Sequence, residues 1–97
     1  MNIYLLSQSE NNGYDTYDSC VVIAESENEA RNTNPSNFVT HIKDGQWMGT
    51  YTKGGEYIIN AHDWVSYSDI HLISVTLVGF ANKEAKKGVV CASYNAG

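Results

Sequence analysis

Residues 11–19 read Asn11-Asn12-Gly13-Tyr14-Asp15-Thr16-Tyr17-Asp18-Ser19 and stand between two apolar runs, Ile3-Tyr4-Leu5-Leu6 and Cys20-Val21-Val22-Ile23-Ala24. Each run has the length and content of a buried strand, whereas the stretch between them is too polar and too glycine-marked for a strand core or a helix. It therefore reads as a crossing loop. Two tyrosines and two aspartates within five positions present flat apolar faces, phenol donors and anionic acceptors together, a set suited to recognition. The alternative use is internal, with the tyrosines leaning on the sheet and the aspartates holding the turn through their own backbone.

Working outward, Met1 to Gln8 is expected as the first strand and Ser19 to Glu25 as its partner. Ser26-Glu27-Asn28-Glu29 then fits a capping box, in which the Ser26 hydroxyl accepts the Glu29 amide and the Glu29 side chain reaches back. The helix it opens is expected to last two turns, because Asn32-Thr33-Asn34 are poor helix formers and Pro35 restrains the residue before it. Asp44-Gly45 is a favoured two-residue turn between Phe38-Val39-Thr40-His41-Ile42 and Trp47-Met48-Gly49-Thr50-Tyr51, and Lys53-Gly54-Gly55 precedes Tyr57-Ile58-Ile59. The strongest strand pattern runs from Ile70 to Val78, with Ile73, Val75 and Leu77 on one side and Gly79 at its end. A charged connector, Ala81 to Gly88, leads to a last strand, Val89-Val90-Cys91-Ala92-Ser93. There is no internal repeat. These elements predict an α+β domain over residues 1–97, an antiparallel β-sheet of about five to six strands with one short α-helix packed on it.

The chain has 97 residues and a formal charge of -5, and the charge is unevenly spread. Residues 1–30 hold Glu10, Asp15, Asp18, Glu25, Glu27 and Glu29 with no Lys or Arg. One face or end is therefore expected to be acidic. Such a surface disfavours direct binding to nucleic acid, whose affinity comes largely from Lys and Arg, and favours a basic protein partner. No charged-then-apolar leader, no apolar run of membrane-spanning length and no glycosylation triplet is visible, so the expected setting is cytoplasmic, without membrane contact.

Cys20 and Cys91 each sit in an apolar run and are expected as buried free thiols that pairing of their strands would make neighbours. His41, His62 and His71 share no metal-ligand spacing with each other or with the cysteines, so no metal and no cofactor is expected. His71, in phase with Ile73 and Val75, is expected to be partly buried. A cysteine-dependent hydrolase using Cys91 or Cys20 with His71 is the weakest of the readings, since neither cysteine has polar, electropositive neighbours. The aromatic residues between Trp47 and Tyr67 serve first as core, and one or two of them exposed on hairpins would make partner anchors.

The Asn11–Ser19 stretch followed by Val21-Val22, then Glu27 to Arg31 and Pro35, and the closing Gly88-Val89-Val90-Cys91-Ala92-Ser93-Tyr94-Asn95-Ala96-Gly97 together resemble a small uncharacterised family of bacterial and phage proteins. The resemblance covers both ends of the chain and little of residues 36–60. It carries over no catalytic residue. It implies a bacterial, prophage or phage setting, where small acidic proteins often inhibit host machinery. The leading expectation is thus a non-enzymatic, anti-CRISPR-like inhibitor that docks on a basic surface of a host nucleic-acid-handling or defence complex, using Tyr14, Asp15, Tyr17, Asp18, Glu27 and Glu29. The rival is a small-ligand protein whose loop 11–19 holds a nucleotide-like molecule. Pairing of the last strand with an early one would also bring Asn95-Ala96-Gly97 beside that loop.

Overall fold

The computed structural model describes residues 1–60 and 63–96. The apolar runs flanking the Tyr/Asp stretch form β1 (Asn2–Ser7) and β2 (Thr16–Ala24), followed by the helix α1 (Glu27–Arg31). Three short strands follow, β3 (His41–Lys43), β4 (Gln46–Thr50) and β5 (Glu56–Ile58), and after a 3-10 helix at Tyr67–Leu72 come β6 (Ser74–Phe80) and β7 (Gly88–Asn95). The class is α+β and every pairing is antiparallel, but the strands form two sheets: β6-β1-β2-β7 and β3-β4-β5. Among the described residues no helix is long and apolar enough to cross a membrane.

Strand alternation divides the four-stranded sheet into two unlike faces. Tyr4 and Leu6 on β1 and Cys20, Val22 and Ala24 on β2 are buried, and they share one core with Ala30 of α1, Trp47 of β4, Trp64, Val65 and Ile73. Helix and second sheet therefore cover the same side. On the other side the register aligns residues in rows: Gly79, Ile3, Ile23 and Gly88; then Thr76, Leu5, Val21 and Cys91; then Ser74, Ser7, Ser19 and Ser93. None of these twelve is charged, and none belongs to the core. Each edge strand carries a bulge, with Val78 the extra residue on β6 and Val90 on β7. Such irregularities blunt an open sheet edge.

Helix α1 opens as its sequence predicts, with the Ser26 hydroxyl accepting the Glu29 amide at 3.1 Å. The Glu29 carboxylate reaches one residue further back than a capping box requires and accepts the Glu25 amide. With five residues the helix is a little over one turn instead of the expected two. Its last residue, Arg31, donates from Nη1 to the carbonyls of Ile70 (3.1 Å), His71 (3.4 Å) and Ile73 (2.5 Å). This hold explains why the strand expected from Ile70 begins only at Ser74. The carbonyls before it are engaged by Arg31, and β1 ends at Ser7, opposite Ser74, leaving earlier residues nothing to pair with.

The expected strand Phe38–Ile42 shortens to His41–Lys43 for a similar local reason. The Asn34 and Ser36 side chains accept the amides of Ser36 and Phe38, which bends residues 34–38 into turns and leaves Phe38 exposed. The Asp44-Gly45 turn is present, with both residues at positive φ (53° and 71°), as a type I′ hairpin requires.

Across the second sheet, Glu56 accepts from Lys43 Nζ and from His41 Nε2 (2.6 Å). The Lys43 hydrogen bond first, and the His41 bond second, hold the Glu56 carboxyl below the usual carboxylate range, and Glu56 in turn raises the Lys43 ammonium. A carboxyl depressed in the folded state stabilises above its unfolded pKa, about 4.3 for Glu, and that support disappears as pH falls through the folded value. Acidification from pH ~5 to ~3 should therefore lower the amide protection factors of β3–β5 ahead of those of β1 and β2, and Glu56→Gln should remove that pH dependence.

Candidate functional site: the Tyr/Asp corner

The loop after β1 is built on Gln8, a residue with only 9% exposure. Its Nε2 donates to the carbonyls of Asn11 (2.7 Å) and Tyr17 (2.8 Å), while its Oε1 accepts the Asn11 amide (2.8 Å). Asn11 Nδ2 donates to the Trp64 carbonyl, and the Tyr17 amide donates to the Asp63 carbonyl at 2.7 Å. Gly13 offers its carbonyl to the Thr16 hydroxyl (2.7 Å) and to Asn95 Nδ2 (3.1 Å), and the Asp15 amide donates to the Asn95 carbonyl (2.6 Å). Both sides of the loop are thus tied, one to the segment after residue 62 and one to the end of β7.

The expected crossing loop is half strand. From Thr16 onward the chain pairs with β7, Thr16 opposite Asn95 and Tyr17 opposite Tyr94, because the C-terminal strand offers a free edge there. Asp18 is the extra residue of a β-bulge, between the Tyr17–Tyr94 and Ser19–Ser93 pairs, and its side chain is exposed. Bulges recur where a side chain must be re-aimed. Asp15 sits in the left-handed region (φ 60°), which Asp tolerates better than most residues. Tyr14, next to it, is 77% exposed.

Behind Tyr14 the rings of Tyr17 and Tyr94 meet edge to face, with centroids 4.8 Å apart. Partial burial, then the negative charge of Asp15, raises the Tyr94 phenol above its ordinary pKa, and Asp15 is also its hydrogen-bond partner. Tyr94 is therefore a donor to the Asp15 carboxylate, with Asp63 adding to the local negative field.

Of the residues expected to form a site, Tyr14, Asp15, Tyr17 and Asp18 lie together at this corner. Glu27 and Glu29 do not. They follow the far end of β2, whose eight steps from Thr16 to Ala24 span about 27 Å. There Glu27 pairs with Arg31 (3.3 Å), and Lys87 bridges Glu25 (3.6 Å) and Glu29 (3.5 Å). The acidic first third of the chain is thus divided between two ends of the sheet. Tyr94, Asn95, Asp63 and Gln8 belong to the corner and were not singled out as ligands by sequence. The closing Tyr94-Asn95 pair was the available signal, since pairing of the last strand with an early one places it here. Gly97 and His62 lie outside the described residues.

Cys20 is buried as expected, but Cys91 is exposed, because β7 is an edge strand and Cys91 is on the uncovered side. The two are on adjacent strands yet opposite faces, Cys20 facing Ala92 and Cys91 facing Val21. Burial pushes the Cys20 thiol up to about 12, which disfavours a thiolate nucleophile. His71 is exposed on the 3-10 helix instead of partly buried, and it precedes β6, the edge opposite the one carrying Cys91. Among the described residues no group of three His, Cys, Asp or Glu could hold a metal ion. A cavity of about 290 Å³ lies beside the corner, lined by Ser36, Phe38, Tyr57, Ile59 and Asp63 and not by Tyr14 or Tyr17.

No known protein family, curated protein or solved structure matches the chain.

Proposed function

We propose that this is a non-enzymatic binding protein whose Tyr14–Asp18 corner engages a cationic segment of a partner protein. The observation that carries the reading is the exposed Tyr14 ring on a loop whose backbone is tied at Gln8, Asp63 and Asn95. A loop ordered before binding loses little entropy on association, and an aromatic ring beside a carboxylate suits an arginine side chain by stacking and charge together. The partner we propose is a basic surface of a host nucleic-acid-handling or defence complex, with the protein acting as a phage- or prophage-encoded inhibitor in the bacterial cytoplasm. That part rests on the resemblance of the end motifs and on the acidic charge.

Affinity capture from a bacterial lysate tests the reading. Tyr14→Ala combined with Asp18→Lys should reduce recovery of the captured protein at least ~10-fold, and raised salt should do the same to the unaltered chain. Glu27→Gln, at the other end of the sheet, should leave recovery unchanged. Undiminished capture by the folded double variant would overturn the proposal. A second reading has its own observation, the cavity walled by Phe38 and Tyr57. It takes a planar, nucleotide-like molecule there, and a thermal shift on screening nucleotides that is lost in Tyr57→Ala would favour it.

A further inference from the structure

The cavity of about 290 Å³ beside the corner has two aromatic walls, Phe38 and Tyr57, with Ser36, Ile59 and Asp63 completing its lining. The fold sets both walls in place. Tyr57 pairs with Gly49 across β4 and β5, and a Cβ built on Gly49 would meet Tyr57 Cζ at 2.5 Å and its hydroxyl oxygen at 2.7 Å. The ring therefore rests on the glycine backbone, and the Tyr51 ring packs against it with centroids 4.6 Å apart. Phe38 extends from a turn in which the Ser36 hydroxyl accepts its amide at 3.3 Å and the Asn34 side chain accepts the Ser36 amide at 2.8 Å. Its ring is 70% exposed although its backbone is held, which leaves an aromatic face ready for a ligand.

Asp63 is the charged residue of this lining. Among the described residues no Lys, Arg or His lines the cavity or forms an ion pair with Asp63. The Asp63 carbonyl accepts the Tyr17 amide at 2.7 Å, so one residue both borders the cavity and braces the corner. Two aromatic walls and a carboxylate suit a flat cation. A guanidinium stacks on ring faces, is weakly hydrated and offers a fork of donors to an acid. The same carboxylate repels the phosphates of a nucleotide, the rival occupant. The volume is also at the small end of the ~300–1,000 Å³ usual for ligand pockets, which suits the end of one long side chain.

We propose that this cavity receives an arginine side chain of the cationic segment that meets Tyr14, an assignment that rests on the reading of the corner given above. The guanidinium lies between Phe38 and Tyr57, and Asp63 meets its charge. Tyr14 is three residues from Tyr17, at most about 11 Å along the chain, so one short basic segment reaches both places. The corner supplies an exposed anchor and the cavity an enclosed one, and two linked contacts hold more tightly than either alone.

Titrating the isotope-labelled full chain with Nα-acetyl-arginine amide should move the amide signals of Phe38, Tyr57 and Ile59, with a Kd on the order of 1 mM. Phe38→Ala, at an exposed side chain, should weaken that response at least ~3-fold. Asp63→Asn, which keeps the carbonyl that holds Tyr17, should weaken it at least ~5-fold. Adenosine monophosphate at the same concentrations should leave these signals in place, and Glu27→Gln should not alter the arginine titration. In the lysate capture, Phe38→Ala combined with Asp63→Asn should lower recovery of the partner at least ~10-fold with Tyr14 intact. Signals at Phe38, Tyr57 and Ile59 that ignore the capped arginine, a response that persists in both folded variants, a stronger response to the nucleotide, or undiminished capture by the double variant would each overturn the proposal. The titration is read residue by residue and needs no partner, so its failure is distinct from failure of the corner, which the Tyr14→Ala and Asp18→Lys capture decides.

Discussion

Arg31→Met should lower the unfolding free energy by about 2–4 kcal/mol, the largest stability loss expected of any single charged residue here. The guanidinium reaches three backbone carbonyls, Ile70, His71 and Ile73, at the point where the 3-10 helix turns into β6. Methionine keeps much of the stem's packing and leaves those carbonyls without their donor, so the loss reports the hydrogen bonds more than the volume. For a domain of this length the change corresponds to a fall in Tm of about 10–25 °C. Arg31→Lys should recover less than half, because a single ammonium cannot reproduce the planar fork. Glu27→Gln removes only the exposed partner of the same side chain and should cost less than ~0.5 kcal/mol. Urea denaturation of the three variants gives the comparison, and equal losses for Arg31→Met and Glu27→Gln would mean that the carbonyl contacts contribute nothing.

The second large effect is expected at Gln8. Gln8→Glu puts a carboxylate oxygen where the amide nitrogen now donates to the carbonyls of Asn11 and Tyr17. Two hydrogen bonds are lost and replaced by repulsion in a site with little access to water, a change on the order of 3 kcal/mol. Amide exchange across residues 9–15 should accelerate ~100-fold, and capture through Tyr14 should fall with it although Tyr14 is untouched. The sign of the pH response distinguishes this cause from a packing defect. Burial among carbonyls raises the introduced carboxyl's pKa in the folded state, so stability is retained below the unfolded value and lost as pH rises through the folded one. The variant should therefore approach the unaltered protein on mild acidification. Gln8→Ala, which brings no charge, should show a smaller loss and no such recovery.

Features encoded by neighbours in the chain were legible in the sequence. The Ser26–Glu29 cap, the Asp44-Gly45 turn and the apolar runs that become β1 and β2 all depend on residues a few positions apart, and each is present. The partition into two sheets was not legible, because Leu6 meets Val75 and Cys20 meets Ala92 across about seventy positions that no local pattern records. The 3-10 helix replaced the start of a strand for the same reason, its carbonyls being held by a side chain some forty residues upstream. At the corner, Tyr14, Asp15, Tyr17 and Asp18 were found because they fall within five positions of the chain. Tyr94 and Asp63 were missed as ligands because only pairing of β2 with β7 and the Tyr17–Asp63 bond bring them near. The charge count misled for the same reason: it records six acids in thirty residues but not that β2 carries them to opposite ends.

The strand order β6-β1-β2-β7 places the two strands made first at the middle of the sheet and the two made later at its margins. During synthesis the β1–β2 pair can join early, but neither strand gains its outer neighbour until the chain has been extended past residue 74 and then past residue 88. Before that point α1 and the second sheet, both made earlier, can already lie against the apolar side of the pair, but Ile73 and both edge strands are still to come. The nascent chain consequently carries the β1–β2 pair without its outer strands through most of its elongation, and closure of the sheet is a late event governed by distant encounters.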